Sequence, residues 1–150
     1  MYKNRFRGFT LIELLVVIAI IGILSAVVLA SLTTVRSRSN DTAIQANLST
    51  VRTQAAIFYE DNSSSYGTDS TDGACNQVDS VFTDQVITNA ITSIMTANGG
   101  VSPVCRNSAT AYAISSRLST DNNRFWCVDS MGAASESSTA LDSTVCPQSN

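Results

Sequence analysis

An apolar run interrupted by one carboxylate constrains this chain more than any other feature. Residues 11–32 are apolar apart from Glu13, Gly22 and two serines. At about 1.5 Å of rise per residue, a helix of about 20 residues spans the roughly 30 Å hydrocarbon core of a bilayer. A charged side chain in such a segment is costly and usually has a function. The run therefore predicts a membrane-inserted helix in which Glu13 needs a partner.

The residues in front of the run indicate its orientation. Lys3, Arg5 and Arg7 are three of the nine basic residues and lie within the first eight positions, MYKNRFRG. Positive charge on one flank of a membrane helix marks the cytoplasmic end. The remainder of the chain would then lie outside. Beyond Gly8 six basic residues face 12 acidic ones, a formal charge of −6, which suits solubility and makes tight binding of nucleic acid an unfavourable interpretation.

A secretory signal peptide is the alternative interpretation of this N-terminus. Val28-Leu29-Ala30 fits loosely the small-residue site at which signal peptides are cut. Cleavage after Ala30 would release a soluble domain, for example a binding module. The run is long for such a peptide and an acidic residue interrupts its start, so we favour a helix that is retained.

The composition excludes several kinds of active site. The chain contains no histidine, which rules out histidine-based catalytic triads, proton shuttles and histidine metal sites. A hydrolase would need a pair of carboxylates, and no acidic pair has a distinctive context. Asp129, Glu136 and Asp142 are candidates for a calcium site, but their spacing does not match a 12-residue calcium loop. We therefore expect neither an enzyme nor a bound metal or cofactor.

The helical pattern continues beyond the apolar run. Apolar residues recur at alternating spacings of four and three, which is typical of one face of an amphipathic helix: Ile44, Leu48, Val51, Ala55 and Phe58. No proline lies between Phe9 and Asp61, so the simplest prediction is one long helix over those residues. Alternatively, Asn40 and Asp41 could cap a second helix after a break.

A second helix is predicted over Asp79–Asn98. Asp79 or Ser80 can cap its start, and Gly99 and Gly100 can end it. Its predicted apolar stripe has a spacing of four: Phe82, Val86, Ala90 and Ile94.

Strands are predicted in the last third of the chain. Residues 110–118 and 124–129 read as two strands joined by a hairpin over 119–123, and a third strand is predicted near 138–145. The first strand alternates loosely, with one face formed by Tyr112, Ile114 and Leu118. The predicted fold class is α+β, with a long helix packed on a small antiparallel sheet.

Four cysteines, all beyond the apolar run, indicate disulfide bonds in an oxidising compartment: Cys75, Cys105, Cys127 and Cys146. They lack the close pairs that a four-cysteine zinc site normally uses. Partly buried free thiols are the alternative, and four cysteines allow three disulfide pairings.

The stretch Gly8-Phe9-Thr10-Leu11-Ile12-Glu13 resembles the class III signal of type IV pilins and of the related type II secretion pseudopilins. The resemblance lies in the combination of a basic leader ending in Gly8, then Phe9, Glu13 and an apolar helix. It covers about Arg7–Leu32, and the rest of the chain matches only in its layout.

The resemblance implies a processed, polymerising subunit. A prepilin peptidase would cut between Gly8 and Phe9, remove a leader of residues 1–8 and N-methylate Phe9. Residues 9–32 would form the transmembrane and later filament-core helix, residues 33–61 its amphipathic half, and residues 62–150 a disulfide-linked head. An ATP-driven assembly machinery would then move subunits from the cytoplasmic membrane into a homopolymer.

The resemblance also supplies a partner for Glu13. Cleavage gives Phe9 an α-amine, and Glu13 lies four residues further along the helix. In the family, this carboxylate meets the Phe9 amine of the adjacent subunit, so that a charge unpaired in lipid becomes paired in the fibre.

The same resemblance bears on the predicted disulfide pairing and on the expected function. We favour Cys75–Cys105 and Cys127–Cys146, since the second pair would form a C-terminal loop like that of many type IV pilins. The crossed pairings remain open. The expected function is that of a major pilin in an extracellular filament for adhesion, motility or DNA uptake. The alternative is a major pseudopilin of type II secretion.

Overall fold

The structure is a computed structural model that describes residues 8–70 and 72–148. The chain divides into two compact units, Met1–Arg36 and Ser37–Asn150. The predictions that concern Lys3, Arg5 and Arg7 lie outside the described residues.

One helix, α1, runs from Leu11 to Asp61. The prediction of a single long helix is confirmed, and the alternative break at Asn40 and Asp41 is wrong. Asp41 has a different role, because its buried carboxylate accepts hydrogen bonds from the backbone N–H groups of Ser119 and Thr120. It therefore holds the loop of a hairpin against α1 instead of capping a helix.

The described part of the first unit is an apolar helix with its side chains exposed. Leu11, Ile12, Ile23 and Leu29 are each more than 60% exposed. This part of α1 is long and apolar enough to cross a membrane, and none of its most apolar stretch is buried within the molecule. Burying a Leu or Ile side chain is worth about 1.5–3 kcal/mol. The segment therefore gains most of its favourable burial from lipid or from other protein chains.

The second unit is built on the amphipathic part of α1. The predicted apolar stripe is confirmed: Ile44, Leu48, Val51 and Ala55 are fully buried, and Phe58 packs against them while partly exposed. These residues form the helix-side core together with side chains from the second helix and the sheet.

The second helix, α2, covers Gln85–Ala97 and follows a 3₁₀ turn at Val81–Thr83. The predicted cap was wrong for α2. Ser80 caps only the 3₁₀ turn, whereas the carboxylate of Asp84 accepts hydrogen bonds from the N–H groups of Val86 and Ile87 at 2.9 and 3.2 Å.

The predicted stripe of α2 was only partly right. Its buried residues are Ile87, Ala90, Ile91 and Ile94. Val86 is 44% exposed, so it does not belong to the buried face.

Four strands form an antiparallel sheet in chain order. They are β1 (Val104–Asn107), β2 (Tyr112–Arg117), β3 (Phe125–Asp129) and β4 (Ala134–Ser137). Two of these strands and the hairpin between them agree with prediction, and the α+β class is confirmed. Strand β1 was missed, since it is four residues long and carries the polar sequence VCRN.

The third predicted strand, at 138–145, was wrong. A tight turn after β3 returns the chain at once, so that β4 pairs with β3 from Ala134 onwards. Residues 138–148, the described part of the segment after β4, contain no strand. It places Leu141 and Cys146 against Ala113 and Cys127 to form a second apolar group, the C-terminal cluster.

This cluster explains the loose alternation of β2. Tyr112 and Ile114 face the helix-side core, as predicted. Ala113 and Ser115 on the other face are equally buried, because the C-terminal segment covers that side. A strand buried on both faces has no reason to alternate between apolar and polar residues.

Candidate functional site

The segment Gly8–Glu13 forms a compact hydrogen-bonded start to α1. The carboxylate of Glu13 accepts hydrogen bonds from the backbone N–H and the hydroxyl of Thr10, at 2.8 and 2.7 Å. In return the hydroxyl of Thr10 accepts one from the backbone N–H of Glu13 at 3.3 Å. This reciprocal arrangement is a capping box, with Thr10 as the cap and Glu13 as the third helical residue.

The capping box corrects the predicted start of the helix. An N-cap residue precedes the first residue of its helix and has a non-helical backbone. Because Thr10 is the N-cap, α1 begins at Leu11 and not at Phe9. The pattern Thr-x-x-Glu in front of an apolar run was visible in the sequence and could have located this start. Thr10 is thus a residue of the site that sequence reasoning missed.

Glu13 has its hydrogen-bond partner within its own chain. Phe9 is in peptide linkage with Gly8 and carries no free amine, so the predicted pairing would require cleavage between these two residues. The Phe9 side chain is 74% exposed.

Gly8 and Phe9 lie outside any helix or strand. Both residues are exposed, and among the described residues no atom beyond Gly8 and its chain neighbours lies within 4 Å of the position that a Cβ on Gly8 would take. The peptide bond between them therefore lies in an exposed segment of the chain.

The four cysteines form two disulfides, Cys75–Cys105 and Cys127–Cys146. This is the pairing that we favoured. The first joins the loop before the 3₁₀ turn to β1, and the second ties the C-terminal segment to β3.

Two of the three acidic residues considered for calcium, Asp129 and Glu136, have structural roles. The buried carboxylate of Asp129 accepts hydrogen bonds from the N–H groups of Met131, Ala133 and Cys146, each at 2.9 Å. Glu136 forms an ion pair with Arg124 on the neighbouring strand. Across residues 8–70 and 72–148, no three His, Cys, Asp or Glu side chains are grouped so that they could hold a metal ion.

A comparison with known protein families identifies a motif in the same N-terminal segment. Residues 3–29 match the family model of the prokaryotic N-terminal methylation motif. The chain is 48% identical over 58 residues to the type IV wide pilus major component PilA4 of Thermus thermophilus, covering 39% of this chain and 44% of that protein.

A second relative extends this result. The chain is 38% identical over 60 residues to the type IV major pilin protein PilA of Myxococcus xanthus, covering 40% of this chain and 27% of that protein. The chain therefore spans less than half the length of either relative. No solved structure is significantly similar to it. The chain thus carries the N-terminal methylation motif and is similar, over part of its length, to two major subunits of type IV pili.

Proposed function

We propose that this protein is the structural subunit of a type IV pilus-like filament and that it polymerises through the N-terminal part of α1. The observation that carries the proposal is an exposed apolar helix directly behind a prepilin methylation motif. Such a helix needs lipid before assembly and other copies of itself afterwards.

The segment before the helix would be removed by processing. A prepilin peptidase cuts between Gly8 and Phe9, removes residues 1–8 and methylates the new amine of Phe9. Residues 9–32 then anchor the subunit in the cytoplasmic membrane and later pack in the filament core. Residues 33–61 continue the helix, and residues 62–150 form the surface of an extracellular filament.

Glu13 would change partners during assembly. In the uncut chain its carboxylate is held by Thr10. In the filament it pairs with the methylated Phe9 amine of the neighbouring subunit, which favours correctly registered addition of subunits. Removing one member of a buried ion pair typically costs about 3–5 kcal/mol.

The acidic second unit fits a surface role. Its two disulfides suit an oxidising environment, and both relatives are major subunits of pili. The proposed role is structural, with a prepilin peptidase and a pilus assembly machine as partners.

Mass spectrometry of the N-terminal peptide from sheared, sedimented surface material tests this proposal. We expect filaments whose subunits begin at N-methylated Phe9. The variant Gly8→Leu should accumulate as uncut precursor in the membrane, and Glu13→Ala should be cut but should yield few filaments.

The outcomes separate the alternatives. Subunits that begin at Ser31 would show an ordinary signal peptide and overturn the proposal. Methylated subunits that never leave the periplasm, while protein secretion fails in their absence, would instead identify a pseudopilin. Normal filaments from Glu13→Ala would remove the pairing role of that residue.

A further inference from the structure

Three Asn-x-Ser/Thr patterns occur in the chain, and the structure separates them. This pattern is the acceptor sequence for N-linked glycans, and a pattern that is used lies on an accessible loop. The three asparagines are Asn40, Asn47 and Asn62, each followed two residues later by a hydroxyl side chain. Because so short a pattern often arises by chance, its structural surroundings decide whether it can be used.

Asn40 and Asn47 lie within α1, where the backbone is helical. The middle residue of each pattern is buried, since Asp41 holds the hairpin loop and Leu48 belongs to the helix-side core. Using either pattern would require opening the helix and exposing residues that the fold buries. Neither asparagine is therefore a suitable acceptor in the folded chain.

Asn62 follows the last residue of α1 and lies in an exposed turn. Ser63 and Ser64 are exposed too, and both have left-handed backbone with φ values of 57° and 60°. Glycine or asparagine is the usual residue in this conformation at a helix end. Within the described part of the chain the hydroxyl of Ser64 forms no hydrogen bond. A serine in a strained conformation whose hydroxyl the fold does not use points to a role outside folding.

The side-chain amide of Asn62 can turn outward at little cost. Its Nδ2 atom donates a hydrogen bond to the carbonyl oxygen of Phe58 at 2.8 Å. The same carbonyl accepts a hydrogen bond from the backbone N–H of Asn62 at 3.0 Å. The carbonyl therefore keeps a partner when the side chain moves, and no polar group is left unpaired.

An acidic residue also distinguishes Asn62 from the other two asparagines. Glu60 stands two residues before it, whereas Arg38 and Gln45 hold that position before the others. Glu60 lies in the last turn of α1, where negative charge opposes the helix dipole. Across residues 8–70 and 72–148 it forms no ion pair. Its carboxylate is thus free for recognition by a basic side chain of a modifying enzyme.

An open cleft beside Asn62 can receive the first sugar. Its volume is about 340 Å³, near the lower end of the range for small-molecule sites. The partly exposed ring of Phe58 lines the cleft together with Ser65 and Thr83. A sugar ring has hydroxyls at its edge and C–H groups on its faces, so a lining of one aromatic ring and several hydroxyls suits it.

We propose that Asn62 is the acceptor of an N-linked glycan. The donor is a polyprenyl-diphosphate-linked oligosaccharide, and an oligosaccharyltransferase acts outside the cytoplasm, the environment that suits the two disulfides. The Nδ2 atom of Asn62 forms a bond to C1 of the first sugar while the bond between C1 and the diphosphate oxygen breaks. Polyprenyl diphosphate leaves with the bonding electrons, and the amide loses one proton to the enzyme. The proposal goes beyond the filament function and needs only the extracytoplasmic position of this unit.

Mass spectrometry of the full-length chain, purified from its own cells, tests the proposal. Trypsin cuts after arginine, so one peptide, residues 39–52, carries both helical patterns, and another, residues 53–106, carries Asn62. We expect the peptide 53–106 to show the added mass of a glycan, which electron-transfer fragmentation assigns to Asn62. The peptide 39–52 should have its unmodified mass.

The two neighbouring serines provide a matched pair of variants. Ser64→Ala removes the hydroxyl of the acceptor pattern and should abolish the added mass although Asn62 is still present. Ser63→Ala makes the same change at the middle residue, which has the same left-handed backbone, and should keep the glycan. Both serines are exposed, so neither change removes a packed side chain.

Other outcomes overturn the proposal. A peptide 53–106 found only at its unmodified mass would exclude the glycan. A sugar on Ser63, Ser64 or Ser65 with Asn62 unmodified would show that the acceptor is a hydroxyl. Equal behaviour of Ser63→Ala and Ser64→Ala, or a glycan on residues 39–52, would show that neither the pattern nor the fold selects Asn62. None of these measurements requires polymerisation, so the proposed filament stands or fails separately.

Discussion

Single residues in this molecule connect segments that are distant in sequence, and Tyr112 is the clearest case. Its ring contacts Tyr66 and Phe82, with centroids 4.9 and 6.4 Å apart, and only 1% of the residue is exposed. Burial raises the pKa of the Tyr112 phenol well above its ordinary value, and the neighbouring Tyr66 adds to the shift. The phenol is therefore held in its neutral form by the fold.

The raised pKa makes folding sensitive to alkali. Above about pH 10 the tyrosine of the unfolded chain loses its proton, whereas folded Tyr112 keeps it. The stabilising contribution is thus complete below pH 10 and is lost as pH rises further. We expect Tyr112→Phe, which keeps the ring contacts, to lose less stability between about pH 9.5 and 11 in chemical denaturation followed by circular dichroism. Identical pH profiles would contradict this explanation.

Residue-level features were predictable where they depend on neighbours in sequence. The capping box of Thr10 and Glu13 is such a feature, although sequence reasoning passed over it. The role of Asp41 was not predictable, because its partners Ser119 and Thr120 become neighbours only when the hairpin reaches α1.

The helices show how spacing determines a buried face. The stripe predicted for α1 alternates spacings of four and three and therefore follows the 3.6-residue period closely. The stripe predicted for α2 used a constant spacing of four, which drifts by about 40° at each step. The buried residues Ile87, Ala90, Ile91 and Ile94 return to the correct period, and Val86 lies outside it.

The N-cap of α2 gives a prediction for this element. Asp84→Ala removes an acceptor for the N–H groups of Val86 and Ile87 and should lower the free energy of unfolding by about 1 kcal/mol. Chemical denaturation measures this value. Asp79→Asn is the control, since Asp79 has a left-handed backbone (φ 58°) that asparagine tolerates. Unchanged stability of Asp84→Ala would contradict the capping role of Asp84.

On the scale of the whole molecule, the C-terminal segment completes the second unit. Leu141 covers one face of the sheet, and Asp129 and the Cys127–Cys146 disulfide fix the residues around it. Without this segment, the face of β2 that carries Ala113 and Ser115 would be exposed to water.

Removing the C-terminal disulfide tests its contribution. Cys127 and Cys146 are 19 residues apart, and closing a loop of this length stabilises a fold by about 3 kcal/mol in the chain-entropy model. The double variant Cys127→Ser/Cys146→Ser should lose about that much free energy of unfolding in urea titrations. Reduction of the unaltered chain should cost more, because it also opens Cys75–Cys105. Equal stability with and without the bond would show that Asp129 and Leu141 close the segment by themselves.

The sequence by itself determined the long helix, its apolar and amphipathic parts, the pilin resemblance and the α+β class. These features arise from local periodicity and composition, which a linear pattern records directly. Only the tertiary structure decided the strand β1, the position of β4, the cap of α2 and the burial of both faces of β2. Each of these depends on contacts between distant segments, and the energy of such contacts appears only when the chain is folded.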